Sequence, residues 1–133
     1  MKLVVDTSVL VAVLVSEPER DRIIAMTENT DLIAPQSVHW EVGNALSAMV
    51  KKQRISVAQA LKAVDAYEKI PIRFVETNLH EAVAIAGGQG LYAYDAYLIA
   101  CAKEQRCSMM TLDKALLQAA RESGVSVVEV PKG

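Results

Sequence analysis

Lys2-Leu3-Val4-Val5-Asp6-Thr7-Ser8-Val9-Leu10 opens the chain with an apolar run that stops on a carboxylate and restarts as a helical pattern. Leu3 to Val5 leave no polar face, as expected of a strand covered on both sides. Asp6 closes the run, and Thr7 and Ser8 lead into an apolar-periodic stretch near residues 8–16. That is a strand-to-helix junction, and the same alternation recurs to the end of the chain. Lys2–Val5, Leu32–Ala34, Ile72–Val75, Ser108–Thr111 and Ser126–Val130 predict strands. Helical patterns lie near residues 18–28, 36–53, 57–69, 79–87, 94–106 and 114–122. Strands alternating with helices predict an α/β fold, a three-layer α/β/α sandwich with a mostly parallel central sheet and right-handed crossovers.

Local punctuation agrees with this division. Ser56-x-x-Gln59 and Asn78-x-x-Glu81 predict capping boxes, in which each side chain satisfies the other's free backbone N–H. Pro18 and Pro35 fit first-turn positions, and Gly124 fits a stop after the last helix. Gly87, Gly88 and Gly90 follow a helix rather than a strand. They therefore predict a flexible turn into the next helix and not a nucleotide-binding loop.

With 133 residues, 52% of them hydrophobic and 23% charged, the chain is expected to form one packed domain spanning residues 1–133. A formal net charge of −2 argues against a protein that coats nucleic acid by bulk electrostatics. The apolar stretch Val9 to Val15 is too short to span a bilayer. Asp6 interrupts what would be the central segment of an export signal, so neither a membrane span nor a signal peptide is expected. Cys101 and Cys107 match neither a zinc knuckle nor a redox CxxC pair. They predict reduced thiols and a cytoplasmic location.

Four acidic residues stand out against this apolar background. Asp6 and Asp113 each follow a predicted strand and precede a helix, at the carboxyl edge of the sheet, where open α/β folds place their sites. Thr7, Ser8 and Thr111 accompany them there. Advancing about 100° per residue from Val38 puts Glu41 at about −60°, within the stripe formed by Val42, Ala45, Leu46 and Met49. The same count sets Asp95 on the side of Leu98, Ile99 and Ala102. Carboxylates on inward-facing positions, with no inward Lys or Arg to match, point to a bound cation. An all-oxygen donor set suits Mg²⁺ or Mn²⁺ better than zinc. Taken singly, Asp6 and Asp113 could simply cap the helices they precede, and Asp95 could interact with a helix dipole.

The segments Val4-Val5-Asp6-Thr7-Ser8-Val9-Leu10, Trp40-Glu41-Val42-Gly43-Asn44-Ala45-Leu46, Tyr94-Asp95-Ala96-Tyr97-Leu98-Ile99-Ala100 and Thr111-Leu112-Asp113-Lys114-Ala115-Leu116 together resemble the PIN-domain family. Within it, the chain resembles the VapC-type toxins of toxin–antitoxin pairs. The resemblance implies a PIN-like fold and a metal-dependent endoribonuclease whose metal-site carboxylates are Asp6, Glu41, Asp95 and Asp113. Asp6 and Asp95 would be the main ligands of Mg²⁺ or Mn²⁺, with Glu41 and Asp113 acting through water or as orienters. Ser8, Asn44 and Thr111 would be polar supports. The resemblance also implies an RNA substrate, a small antitoxin partner and a homodimer.

Positive charge to hold RNA is local. Lys51, Lys52 and Arg54 form one cluster, and Arg20 and Arg22 form another diluted by Glu17, Glu19 and Asp21. Tyr92, Tyr94 and Tyr97 surround Asp95 and are candidate stacking groups. His39 points about 160° away from Glu41 on a helix, which argues against histidine acid–base catalysis. A haloacid-dehalogenase-like phosphatase needs a second Asp two residues after the first, where Ser8 stands. The acidic pairing of a signalling receiver domain is also missing. A catalytically silent PIN-like module that binds RNA or protein is the remaining alternative.

Overall fold

The structure, a computed structural model, describes residues 1–131; the expected domain includes two further residues that lie outside them. The described residues form five strands separated by one or two helices, seven in number: β1 (Lys2–Val5), α1 (Thr7–Leu14), α2 (Arg20–Thr27), β2 (Asp31–Pro35), α3 (Ser37–Lys51), α4 (Val57–Glu68), β3 (Ile72–Val75), α5 (Leu79–Gln89), α6 (Ala93–Gln105), β4 (Ser108–Met110), α7 (Lys114–Glu122) and β5 (Val127–Val128). The strands form one sheet in the order β3-β2-β1-β4-β5, every pair parallel. This is the expected α/β/α sandwich.

The layers follow from residue type. Leu3, Val4 and Val5 of β1 are at most 1% exposed, as the middle strand of a sheet with helices on both faces must be. α6 lies across β1, β2 and β4, and α5 packs on α6. That second contact is made of small side chains, with Ala82 of α5 buried against Ala96 and Ala100 of α6. α1, α2, α3 and α4 pack on one another, and Val38, Val42, Leu46 and Met49 of α3 are buried at the expected spacing. Leu3, Ile33, Ile99, Met109, Met110 and Leu116 are the largest fully enclosed side chains of the core.

Several local expectations need correction. Pro18 lies in a turn ahead of Glu19, the N-cap of α2, so it is outside the first helical turn. Pro35 ends β2, paired in register with Val75 of β3. It sits beyond the last β1 pairing, Val4 with Ile33, where a missing N–H interrupts no ladder bond on that side. The box at Ser56 and Gln59 is complete, but the one at Asn78 is half formed. Asn78 Oδ1 accepts from the Glu81 N–H, while the Asn78 N–H goes to Glu104 Oε1 of α6 at 2.8 Å. Gly87 and Gly88 lie inside α5, and only Gly90, at φ +66°, makes the left-handed turn that ends it.

Other ends behave as read. Gly124 at φ +84° follows α7, with Val125 N–H bonded to the Ala120 carbonyl and Gly124 N–H to that of Arg121. These are the two bonds of a Schellman termination. β5 is confined to Val127–Val128 and β4 stops at Met110, both shorter than expected. Helix ends agree to within two residues.

Candidate active site

Strand order reverses at β1. The chain steps outward from β1 to β2 and β3, then returns to the other side of β1 as β4. Crevices form at the carboxyl ends of strands flanking such a switch, here between the β1–α1 and β4–α7 junctions. Asp6 stands at the first and Asp113 at the second.

Asp6 is the most enclosed of the four carboxylates, at 4% exposure. It caps α1, its Oδ1 accepting from the Val9 N–H at 3.1 Å and from Ser8 Oγ at 2.7 Å. Its Oδ2 accepts from Thr111 Oγ1 at 2.6 Å. Both hydroxyls are held from behind. Ser8 Oγ accepts the Leu112 N–H at 3.0 Å and Thr111 Oγ1 accepts the Asp113 N–H at 3.0 Å. Since each hydroxyl is already accepting from a backbone donor, its own proton is directed at Asp6. Asp6 thereby stitches the two junctions across the switch point. Ser8 and Thr111 hold it by direct contact.

Asp113 caps α7 through Oδ1, which accepts from Ala115 and Leu116 N–H at 2.9 and 3.2 Å. It is exposed, contrary to the enclosed position expected. Its side chain turns back onto its own helix start at the surface. For both Asp6 and Asp113 the simple capping role therefore holds as well. Glu41, on α3, and Asp95, in the first turn of α6, are half-buried. Thr7 Oγ1 donates to Glu41 Oε2 at 3.2 Å. Asn44, one turn beyond Glu41, is exposed, and among the described residues its side chain makes no hydrogen bond that would tie it to the carboxylates.

The electrostatics join the four into a ring. Burial pushes the Asp6 carboxyl above the ordinary range; bonds from Thr111, Ser8 and Val9 oppose this, and the charge of Asp113 adds to the rise. Burial also raises Glu41, against its bond from Thr7, with Asp95 and Asp6 adding repulsion. Burial raises Asp95, again with help from Asp113. Asp6 and Asp95 thus each feel the charge of Asp113, and Glu41 feels those of Asp95 and Asp6. No cation offsets them: among the described residues the ion pairs are Arg20–Asp21, Arg54–Glu17, Arg73–Asp31 and Arg121–Glu129.

The donor set is four carboxylates without His or Cys, which fits a hard, oxygen-seeking divalent cation. Uncompensated charge in a half-enclosed crevice fits the same group, because a cation would relieve the repulsion. Among the described residues, however, no three His, Cys, Asp or Glu side chains stand close enough to share one ion.

The histidines stand apart from this ring. His39 Nδ1 lies 3.0 Å from the Tyr67 hydroxyl and its ring packs edge-on against Phe74; His80 is exposed. Lys51, Lys52 and Arg54 are exposed beyond the end of α3, with Arg54 reaching Glu17 at 3.5 Å. A groove of about 310 Å³ opens beside Thr7 and Ser8, with Ala45 and Leu112 in its wall and Glu17 and Glu19 at its acidic side. Sequence reasoning set Thr7 beside the crevice but did not foresee its bond to Glu41. Its position directly after Asp6 was the available signal, but its acceptor lies 34 residues away.

The PIN domain family model matches residues 3–122. The fold is similar to that of PAE2754 from Pyrobaculum aerophilum, at 24% identity over 98% of this chain and 84% of that one, with a TM-score of 0.74. It is also similar to VapBC2 from Rickettsia felis, whose structure contains a DNA fragment from the promoter, at 13% identity, 98% and 100% coverage and a TM-score of 0.70. A third similar fold is SSO1118, a PilT N-terminus domain protein of Sulfolobus solfataricus, at 15% identity, 98% and 87% coverage and a TM-score of 0.52. No curated protein matches in sequence.

Proposed function

This chain belongs to the PIN-domain family, and from that premise we propose that it acts, as a single domain, as a Mg²⁺- or Mn²⁺-dependent endoribonuclease. We place it as the toxin of a type II toxin–antitoxin pair. The observation that carries this reading is the mutual repulsion among Asp6, Glu41, Asp95 and Asp113, with no ion pair to any of them among the described residues. Likeness to VapBC2 supports a small antitoxin partner, and the homodimer and cytoplasmic location belong to the same proposal. Free Cys101 and Cys107 fit a reducing compartment. Among the described residues no helix is long and apolar enough to cross a membrane.

Asp6 and Asp95 would hold the cation directly, with Glu41 and Asp113 acting through water. When bound, the cation supplies positive charge to the phosphodiester oxygens and makes a water more acidic. The chain's own residues do the positioning. Ser8, Thr111 and the Val9 N–H keep Asp6 in one rotamer and favour its ionised form. Thr7 engages Glu41 Oε2, leaving Oε1 to orient the attacking water. Water adds to phosphorus in line with the bond to the 3′ oxygen; that bond breaks and the 3′ oxygen leaves with a proton. The products are a 5′-phosphate and a 3′-hydroxyl, with no part played by the 2′-hydroxyl.

Incubation with total RNA and either cation, followed by mapping of the ends, tests this. A cut that resists EDTA, or 2′,3′-cyclic phosphate ends, would refute the mechanism. One observation favours the silent binding module instead: the carboxylates are not gathered for three to share an ion. Calorimetric titration of Mg²⁺ or Mn²⁺ into wild type and Asp95→Asn decides between them, since only the nuclease reading requires binding that the substitution weakens.

A further inference from the structure

A second groove lies on the same carboxyl edge, at the ends of β2 and β3, with a volume of about 320 Å³. Gln36, Ser37, Glu76, Thr77, Leu79 and Tyr97 are among its lining residues. Two features set it apart. Ser37 Oγ and Thr77 Oγ1 are buried hydroxyl oxygens without a hydrogen-bond partner among the described residues, an arrangement that costs free energy until something supplies the bond. Tyr97 also supplies an aromatic wall and meets Tyr94, which is 56% exposed, edge-on at 5.8 Å.

The groove adjoins the acidic ring. Ser37 precedes Glu41 by one turn of α3, about 6 Å along the helix and on the same face, whereas Tyr97, two residues after Asp95, turns to another side of α6. A single RNA strand with its scissile phosphate at the ring must continue to one side or the other. On the Thr7 side it meets Glu17 and Glu19. On this side it meets aromatic faces and unpaired hydroxyls, which suit a splayed base. The volume lies in the range of small-ligand sites.

We propose that this groove receives the nucleobase flanking the scissile phosphate and selects it by hydrogen bonds to Ser37 and Thr77. The proposal rests on the ribonuclease reading above. Both oxygens are buried, so a change of side-chain rotamer accompanies binding, after which either hydroxyl donates or accepts. Glu76 accepts only, so it favours a base with an exocyclic amine. Uracil, which has no exocyclic amine and flanks its single N3–H donor with two carbonyls, is disfavoured.

The test is cleavage of a random-sequence single-stranded RNA pool with Mg²⁺ or Mn²⁺, reading base frequencies around the cut. Wild type should show depletion of uracil at one flanking position. Thr77→Val and Ser37→Ala should flatten the preference at that position alone and lower kcat/KM by roughly 3- to 10-fold, the loss of about one hydrogen bond. Both variants should unfold at or above the wild-type temperature, because each removes a buried unpaired hydroxyl. Failure of wild type to cut any RNA would sink the ribonuclease reading and this proposal together. Cleavage with a base preference that both variants retain, or with none at either flanking position, would overturn this proposal alone. So would variants that shift the oligomeric state in sedimentation while keeping the wild-type preference, which would assign the groove to a protein contact.

Discussion

Replacing Asp6 by Asn separates a structural carboxylate from one kept for its charge. Asp6 is 4% exposed and, among the described residues, has no cation beside it. Asn is nearly isosteric, and with its carbonyl in place of Oδ1 it still accepts from Val9 N–H and Ser8 Oγ. Its NH₂ then points a donor at Thr111 Oγ1, which in the native protein donates at 2.6 Å. That hydroxyl must accept instead, leaving its own proton unpaired at a cost of about 1 kcal/mol. Against this stands the loss of a buried negative charge near Asp113 and Glu41, which is favourable at neutral pH because burial already disfavours ionisation. The terms oppose one another, so the metal-free variant should lie within about 1 kcal/mol of wild type, or roughly 3–6 °C in midpoint. Mg²⁺ at a hundredfold excess over its Kd should stabilise wild type by about 2.7 kcal/mol and the variant not at all. Thermal unfolding followed by circular dichroism, in EDTA and in Mg²⁺, reads both differences. A metal-free loss above about 3 kcal/mol, the scale of a broken buried charge pair, would mean that Asp6 is balanced by a partner and the reasoning fails. An unchanged response to metal would remove Asp6 from the ion site.

Thr111→Val deletes the donor to Asp6 Oδ2 and the acceptor of the Asp113 N–H together. It should cost about 1–3 kcal/mol in urea unfolding, and a neutral result would mean that water replaces both bonds. The folded-state values of Asp6, Glu41 and Asp95 are all raised, so the folded chain holds these protons to higher pH than the unfolded chain does. Metal-free protein should accordingly gain stability as pH falls from the raised values toward the ordinary carboxylate range, and saturating Mg²⁺ should oppose that trend. Urea midpoints across pH check the sign, with Asp6→Asn showing a shallower slope. Gly124→Ala meets no atom within 4 Å, so its penalty is conformational alone. A loss of about 1 kcal/mol is expected from forcing alanine to a left-handed φ, and an unchanged midpoint would mean that the cap relaxes.

Much of this was legible along the chain. Leu3-Val4-Val5 announced a strand covered on both faces, and the helical spacing of Val38, Val42, Leu46 and Met49 predicted the buried side of α3 and the half-buried place of Glu41 beside it. These are local periodicities, and each needs only its own segment to be read. Asp113 shows where that logic ends. Its position after an apolar strand looked enclosed, yet a side chain capping its own helix start remains at the surface.

The remaining contacts belong to tertiary structure. Thr111 reaches Asp6 across 105 residues, Thr7 reaches Glu41 across 34, and Glu104 completes the cap at Asn78 across 26. Hydrophobic pattern states which face of a segment turns inward but not which segment lies opposite. Only the strand order β3-β2-β1-β4-β5 brings the β1 and β4 junctions side by side. Hydrogen bonds act over about 3 Å, so their partners are decided once the sheet has assembled.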